Sequence, residues 1–218
     1  KTGLPILEAF GMTEGGPLTA QPLDGSHKYG TAGLPLPGIE VAIAALDGSG
    51  KRLDPNENGE ILIRGERVIE QFFGLPPCAD DGWLPTGDIG CLTSDGFLTV
   101  VDRKKDMLIV AGFNVYPSEI EEVISQVPEV TDVAVISVPD DRKGEVPFAF
   151  VAIDQGAGIT EKTLLNHCAE HLTNYKIPRA IVLLDELPKT PARKPDKKRL
   201  EKLARDFLRK QGNKITAK

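Results

Sequence analysis

The 218 residues carry 40% hydrophobic and 27% charged side chains, the balance of a water-soluble globular chain, with room for one large or two small domains. Formal net charge is −6, unevenly spread: residues 193–218 hold 11 Lys/Arg against three Asp/Glu, leaving −14 on the rest. An acidic body excludes general nucleic-acid binding, and no apolar run reaches the roughly 20 residues that span a bilayer. The basic end reads as a solvated helix face, with phosphates or an anionic membrane as other partners. Lys1-Thr2-Gly3-Leu4-Pro5 has no secretory-leader pattern, and Cys78, Cys91 and Cys168 suit reduced thiols, so a cytoplasmic protein is expected.

Leu4 to Phe10 reads as a short buried strand ended by Gly11, and its abrupt start suggests a truncated domain. Residues 29–38, rich in Gly and Pro, read as loop. Strands follow at 39–46 and 59–64, separated by the Asp47-Gly48-Ser49-Gly50 turn. Asp80-Asp81-Gly82 marks another turn, and Ser94-Asp95-Gly96 predicts a hairpin of 89–93 with 97–102. This first stretch is therefore strand-rich and mostly antiparallel. Past the charged run Arg103-Lys104-Lys105-Asp106 the pattern changes. Short strands at 107–110 and 113–115 bend at Gly112. Pro117 opens a helix, strands lie at 133–138 and 147–153, and Thr160 caps a helix to about Leu172. A strand at 180–184 precedes a last amphipathic helix from Pro195, with Leu200, Leu203, Ala204 and Phe207 on one face. That order makes a small α+β domain, ending in residues 211–218 that read as disordered.

Four segments carry chemistry. In Phe10-Gly11-Met12-Thr13-Glu14 a glycine turn lets backbone approach a ligand; the Thr13 hydroxyl suits a phosphate and the Glu14 carboxylate suits Mg2+. The same residues also make an ordinary strand corner. In Gly82-Trp83-Leu84-Pro85-Thr86-Gly87-Asp88 the carboxylate of Asp88 can accept both hydroxyls of a ribose, or form an Asx turn. The third segment runs from Val101 through Lys105 to Gly112-Phe113-Asn114-Val115-Tyr116-Pro117-Ser118-Glu119, equally readable as a charge run and a capped helix. The fourth, Leu187-Pro188-Lys189-Thr190-Pro191-Ala192-Arg193-Lys194, ends in an ammonium that can neutralise a transition-state anion, or is a basic loop.

In this order and at these separations the four segments resemble the later motifs of the adenylate-forming superfamily. That superfamily comprises acyl-CoA synthetases, nonribosomal-peptide adenylation domains and firefly-type luciferases. The resemblance runs from Gly3 to about Leu203, and residues 112–122 are most similar to medium- and long-chain fatty acyl-CoA synthetases. It implies a two-part chain. Residues 1–104 would be the strand-rich, β-barrel-like end of a large α/β domain; 105–218 would be a small mobile α+β domain with its hinge at Lys105. It implies that Thr13 contacts the α-phosphate of ATP and Glu14 binds Mg2+. Asp88, assisted by Arg103, would hold the ribose of ATP or AMP, and Gly112 would line the path of CoA. Lys194 would bridge the substrate carboxylate and the phosphate. The implied reaction joins a fatty acid or other carboxylate to CoA, with AMP and pyrophosphate released. Alternatives are a relative that passes the acyl group to a carrier protein, and a nucleotide- or CoA-binding piece without turnover. Three departures stand out: Phe10 where Tyr is commoner, Arg193 where the family usually has Gly, and no Ser/Thr/Gly-rich phosphate loop. The last implies that these residues are inactive alone.

Other residues draw plainer readings. His167 and His171 stand four apart on one helix, a spacing that can bind Zn2+, but no third ligand or Glu follows in the metalloprotease pattern, and metal binding is not expected. Trp83 reads as a packed loop anchor and Cys78 as an inert loop thiol.

Overall fold

A computed structural model describes residues 4–69, 71, 82–154, 156 and 158–210. The chain divides into two compact units, Lys1–Lys105 and Asp106–Lys218. In the first, β1 (Ala9–Met12), β2 (Gly16–Ala20) and β3 (Leu34–Pro35) form one antiparallel sheet. A second sheet is the meander β4 (Ile39–Ala44), β5 (Gly59–Gly65), β6 (Leu84–Leu92) and β7 (Leu98–Arg103), each strand antiparallel to the next. The β-branched run Ile61–Ile63 makes β5 the spine: Ile61 and Ile63 are fully buried with Leu18, Ile43 and Leu98. A Cβ at Gly90 would sit 2.3 Å from the Thr99 carbonyl oxygen and 2.8 Å from Ile61 Cδ1, so only glycine lets β6 pass there. The buried Gln21 side chain pins the loop before β3. Its Nε2 donates to the carbonyls of Thr31 (2.6 Å) and Lys28 (2.7 Å), and its Oε1 accepts from Lys28 N (3.0 Å).

The strand-rich reading of this unit stands, but among the described residues the meander stays open and closes no barrel. Three local expectations need correcting. Residues 4–8 belong to no strand, and Leu4 and Ile6 are 76% and 84% exposed. Pro5 between them has no N–H to give a ladder. The stretch 29–38, read as loop, contains β3, because Gly33 at φ 85° turns the chain back along β2. Leu84–Asp88 is strand, so β6 starts five residues earlier than the turn signals imply. Asp80, Asp81, Cys78 and residues 211–218 lie outside the described residues.

The second unit runs β8 (Leu108–Val110), β9 (Phe113–Val115), α1 (Pro117–Ser125), β10 (Val130–Asp140), β11 (Gly144–Ile153), α2 (Glu161–His171), β12 (Ile181–Leu184) and α3 (Lys197–Lys210). This is the predicted order of elements. The sheet order is β10-β11-β8-β9, with β12 parallel to β11. Residues 146–152 of β11 are all buried, as a central strand covered on both faces must be. The helices supply the cover through Ile120 and Ile124, Leu164 and Cys168, and Leu200, Ala204 and Leu208. Pro117 occupies the first turn of α1, and Thr160 Oγ1 caps α2 by accepting from Thr163 N at 3.2 Å. The last helix begins later than Pro195, which bridges back to Lys189; Asp196 caps it, its Oδ1 accepting from Arg199 N at 3.2 Å. Its buried stripe recurs every four residues, which leaves Leu203 at the rim, 43% exposed.

Candidate functional site

Thr13 and Glu14 occupy the tight turn between β1 and β2, closed by Gly15 N donating to Met12 O at 3.2 Å. A Cβ on Gly11 would lie 2.7 Å from the Gly16 oxygen, so glycine permits the close strand approach. Glu14 O accepts from Ile69 N at 2.9 Å, which ties the turn to the segment that follows β5. The Thr13 side of the turn lines an open hollow of about 470 Å3 with Phe10, Gly11, Met12, Gly16 and Pro17. The half-buried Glu14 carboxylate makes no hydrogen bond or ion pair among the described residues. An acceptor-only oxygen donor in that setting fits a hard cation such as Mg2+.

Asp88 is set by an irregularity in the meander. β6 advances four residues, from Pro85 to Ile89, while β5 advances two, from Leu62 to Glu60. The surplus is taken up by Thr86-Gly87-Asp88, with Gly87 at φ 73°, a conformation that favours glycine. The buried Thr86 hydroxyl donates to Ile61 O (2.9 Å) and accepts from Asp88 N (3.1 Å). The bulge is thus pinned to the spine, and Thr86, not Asp88, supplies the side-chain turn. Asp88 stands directly opposite Arg103 in the β6–β7 register. Arg103 Nε donates to Asp88 Oδ1 at 2.9 Å; the carboxylate is 15% exposed and the guanidinium 55%. One Asp88 oxygen is oriented by a cation beside it, which leaves a fixed acceptor at the surface. Lys104 next door donates to Glu60 Oε2 (2.6 Å), and its N–H to Gly87 O (2.9 Å), so β5, β6 and β7 all hold this corner. Sequence reasoning missed Thr86 and Glu60; the signal was Thr two residues before the Asp, across a glycine. Trp83 is flanked by the guanidiniums of Arg52 (4.5 Å) and Arg64 (4.6 Å), as a packed anchor would be.

Lys105, exposed, is the last residue of the first unit, and Asp106 pairs with Lys197 at 2.8 Å within the second. Gly112 turns β8 into β9 at φ 87°, with nothing within 4 Å of a would-be Cβ, so backbone conformation selects glycine there and crowding does not. Beside it the exposed Phe113 ring stacks on Tyr175 at 4.7 Å. Lys194 ends a tight hairpin loop. Arg193 N donates to Thr190 O and Thr190 N to Lys194 O, both at 2.8 Å, while Lys189 bridges Pro195. Pro191, its φ fixed by the ring, suits the first corner of this turn; the bulge position falls on Arg193, at φ 59°. The exposed Lys194 ammonium makes no hydrogen bond or ion pair among the described residues. Thr13, Glu14, Asp88 and Arg103 therefore fall in the first unit, and Gly112 and Lys194 in the second.

Residues 1–73 match the family model for AMP-binding enzymes, and residues 119–194 that for the AMP-binding enzyme C-terminal domain. The chain is 44% identical over 194 residues to a long-chain-fatty-acid–CoA ligase of Yersinia pestis, covering 87% of this chain and 34% of that protein. It is 39% identical over 207 residues to a 2-succinylbenzoate–CoA ligase of Geobacillus kaustophilus, covering 92% and 42%. Among solved structures it is similar to ATP-bound MatB from Rhodopseudomonas palustris, with TM-score 0.88, 35% identity, and 95% and 42% covered. The chain thus spans about a third to two fifths of the length of these curated relatives. With both family models matched in chain order, the protein belongs to the adenylate-forming AMP-binding enzymes.

Proposed function

We propose that these residues serve an ATP-dependent, AMP-forming acyl-CoA synthetase that activates medium- or long-chain fatty acids in the cytoplasm. The observation that carries the reading is the Asp88–Arg103 pair, an oriented acceptor on a pinned bulge, in a chain 44% identical to a long-chain-fatty-acid–CoA ligase. In this reading Asp88 accepts the ribose hydroxyls and Arg103 holds it in place. Thr13 donates to the α-phosphate, and Glu14 would hold Mg2+, which neutralises phosphate charge when bound. Lys194 stabilises charge where carboxylate and phosphate meet, a task for a mobile ammonium without an ion-pair partner. Lys105 is the hinge, and Gly112 lies where the pantetheine arm of CoA passes. The chemistry needs charge neutralisation and positioning more than proton transfer.

Similarity to a 2-succinylbenzoate–CoA ligase and to MatB supports a second reading of the substrate, a carboxylate other than a fatty acid. A panel of carboxylates with ATP, Mg2+ and CoA, assayed on the complete protein for AMP and pyrophosphate, separates the two. Fatty acids of medium and long chain are expected to be preferred, and activity is expected to fall at least about 100-fold in Lys194→Ala, the loss typical of one electrostatic group. No activity with any carboxylate counts against the reaction. The 218 residues by themselves are expected to catalyse no pyrophosphate exchange.

A further inference from the structure

We infer that α2 carries a binding site for a divalent transition ion, Zn2+ foremost, formed by His167, Glu170 and His171. The sequence pattern offers two histidines four apart; the structure adds the third donor. One ligand atom from each of the three side chains lies within 4.8 Å of the others. Helical geometry explains this: residues three and four apart share one face, and the two imidazoles lie 4.3 Å apart between centroids.

Both rings are already prepared as ligands. His167 Nε2 lies 3.0 Å from Val123 O, and His171 Nδ1 lies 2.9 Å from His167 O. A carbonyl oxygen only accepts, so each ring nitrogen there carries the proton. The other nitrogen of each neutral ring, Nδ1 of His167 and Nε2 of His171, is left with a bare lone pair. A metal-bound histidine is held in the same way, its second N–H given to a backbone carbonyl or carboxylate. Glu170 makes no hydrogen bond or ion pair among the described residues, so its carboxylate is free to bind. Two imidazoles and a carboxylate select Zn2+, Ni2+ or Cu2+ over Mg2+ or Ca2+. Glu170 and His171 are exposed and His167 half-buried, so the ion would keep solvent on its outer side. Through the bond from His167 to Val123 O, the bound ion would also fasten α2 to α1.

The test is calorimetric titration of the tag-free 218-residue chain with ZnCl2. One saturable equivalent is expected. His171→Ala and Glu170→Gln, both at exposed positions, should each weaken binding at least about tenfold, the lower bound seen even when a supporting partner of a ligand is lost. Circular dichroism checks that both variants stay folded. Absence of saturable binding to the parent chain overturns the site, as does parent-like affinity in either variant. With Co2+ in place of Zn2+, a thiolate charge-transfer band would assign the metal to cysteine and overturn it too.

Discussion

Replacing Arg193 by glycine should stabilise the second unit. Arg193 holds φ 59° at the bulge of the 190–194 loop, where an L-residue costs about 1–2 kcal/mol against glycine. Glycine returns about 0.5–1 kcal/mol of that through its freer unfolded chain. The Arg193 side chain is exposed and makes no hydrogen bond or ion pair among the described residues, so little else is lost. The net gain is about 0.5–1 kcal/mol, which for a unit of this size raises Tm by about 2–8 °C. All helices of the described residues, α1 to α3, lie in this unit, so far-UV circular dichroism follows its melting. Arg193→Ala keeps the Cβ and the strain, and should melt with the parent chain. Equal melting of the Gly and Ala variants, or a Gly variant less stable than the parent, would refute the strain argument.

Three further outcomes follow from the geometry. Thr86→Val removes a buried hydroxyl with two hydrogen bonds and should cost about 1–3 kcal/mol in urea unfolding read by Trp83, the single tryptophan. The backbone N–H groups of Lys143 and Arg142 hold the Asp140 carboxyl below its ordinary value of 3.8, with Arg179 adding to them. Its folded pKa is the lower one, so its contribution to stability is present above pH 3.8 and is lost as pH falls below it. Asp140→Asn should flatten that acid limb of the stability curve, and an unchanged limb would contradict the assignment. Burial pushes the Cys168 thiol up to about 11, so iodoacetamide at pH 8, mapped by mass spectrometry, should leave Cys168 unmodified until the chain is unfolded.

Local signals were the legible ones. Pro117 and Thr160 announce their helices because a fixed φ and a hydroxyl at a helix start act within one turn. The Ser94-Asp95-Gly96 turn gives its hairpin for the same reason. What stayed hidden depends on partners far along the chain. Nothing local in Leu84–Asp88 tells that it extends β6, since the bulge exists only against Ile61 and Glu60. Asp196 is a capping residue in type, but Pro195 before it masked the start of α3. Glu170 stands between the two histidines, outside the metalloprotease spacing, and only the helical turn brings its carboxylate beside both rings. Arg193 was legible as a departure, yet its significance lies in a backbone angle that no side-chain pattern expresses.

The proposed ribose role of Asp88 can be measured through the nucleotide itself. In the complete protein, kcat/KM for ATP and for 2′-deoxy-ATP are compared in the parent and in Asp88→Asn, an exchange that keeps shape and removes charge. A charge-assisted hydrogen bond of about 1.5–3 kcal/mol predicts that the parent prefers ATP by roughly 10- to 150-fold. The variant should show most of that preference gone. A parent that ignores the missing hydroxyl, or a variant that discriminates as the parent does, would contradict the account.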